Sequence, residues 1–345
     1  PISLRGINWV KFLIKNKISD KEIDQYLYND YQLLFHNLEY HLLGNHLLEN
    51  GFALLFGAYY FKDDELYKEA VKILKNELRE QTLADGAHFE LSPMYHQTML
   101  VRVLDCVQLI RLNSWKLDDL LQLLENIAVK MLSWLQMITF DNGDIPMVND
   151  SSFGIAPSTE ALIAYGNELD LRSIKAELSD SGFRMFKNKK FELFVDVAHI
   201  GASYQPGHVH SDTFSFILYA NKQPVFVDPG VSTYEKNEVR QQERSTASHN
   251  TVQVGDREQT QVWGGFRVAK RASITKLVEG DFLEATHDGY KDLGIEHTRK
   301  FTVLEEKVII NDKISGGKDF KQTAYFHLHP TITSVSIDDP RVLMQ

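Results

Sequence analysis

Apolar residues recur at helical spacing through the first half of the chain. In Glu65–Gln81, Leu66, Ala70, Ile73, Leu74 and Leu78 share one face, and Lys68, Glu69, Lys72, Lys75 and Arg79 flank the other. Similar runs over 20–43, 45–61, 95–112, 117–138 and 159–178 predict further helices. The connectors carry turn and cap residues, as in Lys62-Asp63-Asp64, Asp85-Gly86 and Asp141-Asn142-Gly143-Asp144. Helix pairs of this length, with no shared short repeat, predict a layered or toroidal α/α array.

Near Gly182 the period changes. Residues 191–197, 214–219, 302–304 and 307–310 read as strands, separated by Asn-Lys, Gly-Asp and Gly-Gly turns. Short strands with such turns predict an antiparallel sandwich. The expected fold is therefore multidomain α+β. A helical domain spans 1–180, a β domain spans 181–345, and the cleft between them is the expected active site.

Each half holds a polar constellation. In the β half, His208-Val209-His210 on an extended strand would turn both imidazoles to one face. Asp228 closes the apolar run 224–227 just before Pro229-Gly230, and His249 precedes the alternating run 250–254. Three adjacent strands would join His, carboxylate and His into a zinc-type first shell. Unrelated polar residues on a sheet surface are the alternative. In the helical half, His46 and Glu49 share a helical face. Asp85-Gly86 makes a turn, Ser92-Pro93 opens a helix, and Tyr95 lies in its first turns. There the alternative is that Asn45 caps or bridges helices and Tyr95 packs with its hydroxyl satisfied.

Composition narrows the classes. The formal net charge of −10 argues against general nucleic-acid binding, while a local basic patch still permits an anionic glycan. One cysteine, Cys106, excludes an internal disulfide and reads as a small buried hydrophobe. No run approaches the roughly 20 apolar residues of a membrane span. No signal peptide is visible at Pro1. Neither end reads as a natural terminus, so both domains are expected to be truncated.

Together, Asn45-His46-Leu-Leu-Glu49-Asn-Gly51, Asp85-Gly86-Ala-His-Phe-Glu90-Leu-Ser-Pro93-Met-Tyr95-His96, Pro206-Gly207-His208-Val-His210-Ser-Asp212, Val227-Asp228-Pro229-Gly230 and Arg244-Ser-Thr-Ala-Ser-His249-Asn250-Thr251 resemble the heparinase II/III-like polysaccharide lyases. The resemblance implies an incomplete (α/α) toroid followed by an antiparallel β-sandwich. It also implies β-elimination of a uronic-acid-containing glycan. Asn45 with His46 would neutralise the uronate carboxylate, and Tyr95 would protonate the leaving oxygen. His208 or Tyr95 would take the C5 proton, and a nearby cation, Arg244 or a histidine, would have to lower the tyrosine pKa. His210, Asp228 and His249 would hold a structural divalent ion, zinc before calcium or manganese, and no organic cofactor is needed. Glu49, which would orient His46, and His96, Tyr234, Arg244, Trp263 and Arg267 are candidate substrate contacts. Asp150 would shape a loop at the cleft rim. An anionic polysaccharide is the expected partner, in the periplasm or outside a bacterium, with a homodimer left open.

Three rivals stand beside this reading. A cupin-type metal enzyme would leave the helical half unexplained. A glycoside hydrolase needs two facing carboxylates, with Glu49 and Glu90 as nominees. A glycan-binding or biosynthetic protein could keep the fold without the chemistry. With 37 Lys+Arg against 47 Asp+Glu, a lightly sulfated or unsulfated polymer suits the chain at least as well as heparin.

Overall fold

Seven α-helices fill the first half of the computed structural model, which describes residues 2–116, 118–316 and 319–336. They are α1 (Ile2–Asn16), α2 (Lys21–Phe35), α3 (Gly44–Phe61), α4 (Asp64–Gln81), α5 (Pro93–Arg111), α6 (Leu120–Ile138) and α7 (Thr159–Glu168). Asp20, Asp63, Ser92 and Ser158 cap α2, α4, α5 and α7 by accepting backbone N–H bonds. One apolar core joins all seven helices, and α3 runs through its centre. Cys106 is buried in that core, as expected.

Two helix boundaries differ from the sequence pattern, and one helix lies outside it. The run 20–43 is helical only to Phe35, because the chain turns through 36–43 and enters α3 with Leu43 at φ 58° and Gly44 at φ 56°. That turn places Asn45 in the first turn of α3. The run 159–178 is helical only to Glu168, and Asp170 at φ 53° takes the chain out of helical geometry. Helix α1 blurs its own signal. It buries Ile7, Val10 and Leu13, and its exposed face mixes Trp9, Phe12 and Ile14 with Arg5, Asn8, Lys11 and Lys15.

In the second half, β1 (Phe183–Lys187), β2 (Phe191–Asp196), β3 (Phe216–Ala220) and β4 (Gln223–Phe226) form one antiparallel sheet in that order. Short pieces follow: α8 (Glu238–Glu243), β5 (Val252–Val254), β6 (Gln261–Trp263) and β7 (Arg267–Ala269). The second antiparallel sheet holds β8 (Ile274–Glu279), β9 (Leu283–His287), β10 (Glu296–Val303) and β11 (Val308–Ser315). Strand β12 (Gln322–Ala324) pairs with β5. Leu193, Val195, Phe216 and Leu218 of the first sheet pack on Leu283, Ala285 and Phe301 of the second, which makes the sandwich.

The first sheet is covered on its other face as well. Phe183, Phe194, Ile217 and Tyr219 pack on Trp134, Ile138 and Phe140 from the end of α6. Strand β2 is therefore apolar at successive positions rather than alternating. The crossover between the halves is pinned by Asp85. Its Oδ2 accepts from Ser179 N and Ser181 N at 3.0 Å each and from Ser181 Oγ at 2.6 Å. Gly182 follows at φ 71°, and a Cβ there would stand 2.2 Å from Ala198 Cα.

Four buried imidazoles give the fold an acid limit. Burial pushes His88, His96, His287 and His297 below the ordinary histidine value, His96 to about 3. His96 is satisfied in its neutral form: Nδ1 accepts from His88 N at 3.2 Å and Nε2 donates to Met131 O at 3.0 Å. The unfolded value is about 6.5, so below it the unfolded chain binds more protons. The stability these groups lend is present above about pH 6.5 and is lost as the pH falls towards the folded value. Urea unfolding from about pH 7.5 to 5.5 should show a pH slope shallower by up to about 1.4 kcal/mol per unit in His96→Phe than in the parent chain. Equal slopes would refute this.

Candidate active site

Three segments from both halves meet at one buried carboxylate. Asp150 lies in the loop after α6, and Asn149 before it is held at φ 53°. Its Oδ2 accepts from His208 Nδ1 at 2.8 Å and its Oδ1 from His210 Nε2 at 2.9 Å. Arg240, on α8, donates to both oxygens, with Nη2 to Oδ2 at 2.7 Å. Burial alone would raise the Asp150 carboxyl, but the bonds from His208, His210 and Arg240 outweigh it and hold it far below the usual carboxylate range.

An ionised Asp150 fixes the His208 ring. A carboxylate only accepts, so His208 Nδ1 carries a proton and Nε2 is the nitrogen turned away from Asp150. That nitrogen lies 3.4 Å from Asn45 Nδ2 and 3.5 Å from Glu90 Oε2. The Tyr95 ring covers one face of the imidazole, with centroids 4.1 Å apart and planes at 33°. The Tyr95 hydroxyl donates to Tyr234 Oη at 3.2 Å. Tyr234 stacks on Phe266, with centroids 6.0 Å apart, and the Arg240 guanidinium lies 5.5 and 5.4 Å from those two rings. Burial first, then the Tyr234 hydrogen bond and the charges of Asp150 and Glu90, raise the Tyr95 hydroxyl well above the ordinary tyrosine value. The cation expected to lower it is not among the groups that act on it, and the hydroxyl keeps its proton.

A separate open cleft of about 570 Å³ lies by α6, α7 and β1, lined by Thr139, Asp141, Glu160 and Lys187 among others. Lys187 is already engaged there by Thr139 O and Asp141. Neither the tyrosine nor any of the grouped histidines lines that cleft, so the chemistry is better assigned to the Asp150 cluster.

Two family models cover nearly the whole chain. Heparinase II/III N-terminus matches residues 2–165, and Heparinase II/III-like, C-terminal matches residues 172–345. The chain belongs to the heparinase II/III family. It is 25% identical over 344 residues to a heparin-sulfate lyase of Bacteroides stercoris, covering 89% of this chain and 49% of that protein. A heparin-sulfate lyase of Pedobacter heparinus is 25% identical over 303 residues, covering 77% and 43%. The chain thus spans about half the length of these curated relatives or less. Solved structures share the fold. One titled as heparinase III superposes with TM-score 0.68 at 19% identity, covering 91% of this chain and 55% of that one. A mutant of the heparan sulfate lyase HepC from Pedobacter heparinus gives 0.66 at 20% identity, covering 86% and 49%.

Within this heparinase II/III chain, Asn45, Tyr95, His208 and Tyr234 come together, but other expected contacts do not. His46 is half exposed, and its Nδ1 faces Glu39 Oε1 at 3.5 Å. Glu49 does not orient it; Glu49 pairs with Arg102 Nε at 3.1 Å on α5. His96 is buried against Trp134, with centroids 4.4 Å apart, and bonded at both nitrogens. Arg244 is also buried. Its Nε and Nη2 clasp Val209 O at 3.1 and 2.9 Å, which braces the backbone between His208 and His210 rather than meeting a sugar. Trp263 and Arg267 are exposed cross-strand partners on the β6–β7 hairpin, whose turn carries Phe266.

The expected metal set is arranged differently from three adjacent strands. His208 and His210 lie in a turn and loop before β3, Asp228 follows β4, and His249 ends a short 3-10 helix before β5. Asp228 Oδ2 accepts from His249 Nδ1 at 2.8 Å, and His210 is bonded to Asp150 instead. Among the described residues, no three His, Cys, Asp or Glu side chains stand in a ready metal-binding group. Two observations still suit an ion. The His210 and His249 rings are 5.3 Å apart, and His210 Nδ1, His249 Nε2 and Asp212 Oδ2 are buried without partners.

Three residues of the cluster do more than the sequence suggests. The sequence marks Asp150 only as part of a loop and Glu90 as a motif residue and hydrolase nominee, and it does not mark Arg240. The run Asn149-Asp150-Ser151-Ser152 is the available signal for Asp150. A short helix with a lone arginine gives none for Arg240.

Proposed function

We propose that this chain carries the catalytic centre of a polysaccharide lyase that cleaves a uronic-acid-containing glycan by β-elimination. The observation that carries the reading is the convergence of the Asn45 amide on His208 Nε2 and of the Tyr95 ring on the face of the same Asp150-anchored imidazole. His208 Nε2 takes the proton on C5, and the C5–H electrons form the C4=C5 double bond. The C4–O bond breaks, and Tyr95 donates its proton to the departing oxygen. The Asn45 amide hydrogen-bonds the uronate carboxylate and stabilises the enolate charge that grows there. His46 has no part in this scheme. Trp263 and Arg267 offer a ring and a guanidinium for more distant sugar units.

The assay is direct. The protein is incubated with a panel of uronate polymers, sulfated and unsulfated, while ultraviolet absorbance of the unsaturated product is followed. Absorbance should rise with new reducing ends. Reducing ends without absorbance would overturn the lyase reading in favour of hydrolysis. Glu49 and Glu90 give hydrolysis little support, since each is tied to a neighbour inside the protein. A polymer too large to import intact fits a periplasmic or secreted enzyme.

We also propose that His210, Asp228 and His249 hold a divalent ion, zinc by the nitrogen-rich donor set. Its charge would tie together the loops around His208, a structural duty. Elemental analysis should find the ion, and chelation should lower the melting temperature. A metal-free preparation with an unchanged melting temperature would refute the site.

A further inference from the structure

We propose that Glu90 is a positioning residue that sets the amide of Asn45 for the reaction. Glu90 sits in the loop between α4 and α5 and is 2% exposed. Its carboxylate faces the N-terminus of α3. Oε1 accepts from Asn45 N at 3.1 Å, and Oε1 and Oε2 lie 3.2 and 2.9 Å from Asn45 Nδ2. Leu43 gives α3 no side-chain cap, so the carboxylate also takes the place of one, where negative charge is favoured.

A carboxylate offers acceptors only. The amide must therefore turn its NH2 edge to Glu90 and keep its oxygen away. One N–H is spent on that bond. Because the amide is planar, its second N–H direction is then fixed. Nδ2 also makes a long, 3.4 Å hydrogen bond to His208 Nε2, so the second N–H borders the space in front of that nitrogen, where an incoming carboxylate can take it over. There the substrate carbon must lose its proton, and there enolate charge develops. Without Glu90, the amide can rotate half a turn and present oxygen to the uronate carboxylate, acceptor against acceptor. The carboxylate is itself seated by its surroundings. A Cβ on Gly44, which has φ 56°, would stand 2.7 Å from Oε1, and Asn149 Nδ2 donates to Leu91 O at 2.9 Å just beyond it.

The kinetic arm of the test rests on the lyase reading; the spectroscopic arm does not. In nitrogen-15-labelled protein, the Asn45 side-chain amide is assigned by its loss in Asn45→Ala. Its two protons should be widely separated in the parent chain and collapse towards free-amide positions in Glu90→Ala. Glu90→Gln, which keeps one carbonyl acceptor, should fall between. An unmoved amide in Glu90→Ala overturns the proposal. In turnover, Glu90→Ala should lower kcat about 10²-fold with a smaller change in KM, and Glu90→Gln should recover much of the loss. In an Asn45→Ala background, Glu90→Ala should cost nothing further, because it acts through the missing amide. Multiplicative losses would overturn the proposal. If the parent chain releases no unsaturated product, the lyase reading fails, and the amide resonances still decide the role of Glu90.

Discussion

Replacing Tyr95 by phenylalanine is expected to lower kcat by about 10²–10⁴-fold and to leave the fold intact. The variant removes one oxygen, whose partner is Tyr234 Oη at 3.2 Å at the exposed edge of the site. The ring that covers His208 stays in place. The melting temperature should therefore hardly move. The direction of the pKa shift makes the assignment specific. A hydroxyl pushed up by burial and by neighbouring anions stays protonated at neutral pH, so it is a donor before it is a base. Retained turnover in Tyr95→Phe would remove Tyr95 from the mechanism. A coincident collapse of the melting curve would mean that packing, not proton transfer, had been measured.

Asp150 should show the opposite profile, a loss of both activity and stability. In Asp150→Ala, the buried Arg240 guanidinium and both imidazole N–H groups lose their acceptor. Removing one partner of a buried ion pair costs about 3–5 kcal/mol, because the other charge stays buried. Asp150→Asn keeps the shape and separates the two effects. The amide cannot accept from all three donors, so His208 is free to take the wrong tautomer. By analogy with an aspartate that orients a catalytic histidine, the loss should be on the order of 10³–10⁴-fold in kcat. Its carboxyl is held below its unfolded value. The stability it lends is therefore present above about pH 4 and lost as the pH falls below that. Less than tenfold lost activity in Asp150→Asn would refute the orienting role.

The helical period is readable in α4, which buries one face, while α3 and β2 are buried nearly all round and are legible from their apolar runs and flanking turns. Two helices break the pattern. Helix α1 exposes Trp9 and Phe12 beside its buried stripe, and α2 ends where a left-handed Leu43 and Gly44 lead the chain into α3. The reactive groups were readable in part. Asn45, Tyr95 and His208 carry unusual chemistry in short motifs, but their supports depend on contacts over long separations. Asp150 meets Arg240 across 90 residues, and Glu90 meets Asn45 across 45. Arg244 and His96 look reactive in sequence, yet His96 bonds backbone groups at both ring nitrogens, and Arg244 Nε and Nη2 bond the Val209 carbonyl inside the protein.

The Asp150–Arg240 pair has a consequence for how the chain can be divided. Asp150 belongs to the first half of the chain, with Asn45, Glu90 and Tyr95, whereas Arg240 and His208 belong to the second. Neither half carries all the residues of the proposed centre. A chain cut at the crossover near residue 175 would behave as a two-part lock. Each piece would present an ion without its counter-ion, and any activity of the intact chain would return only when the pieces are mixed and dock.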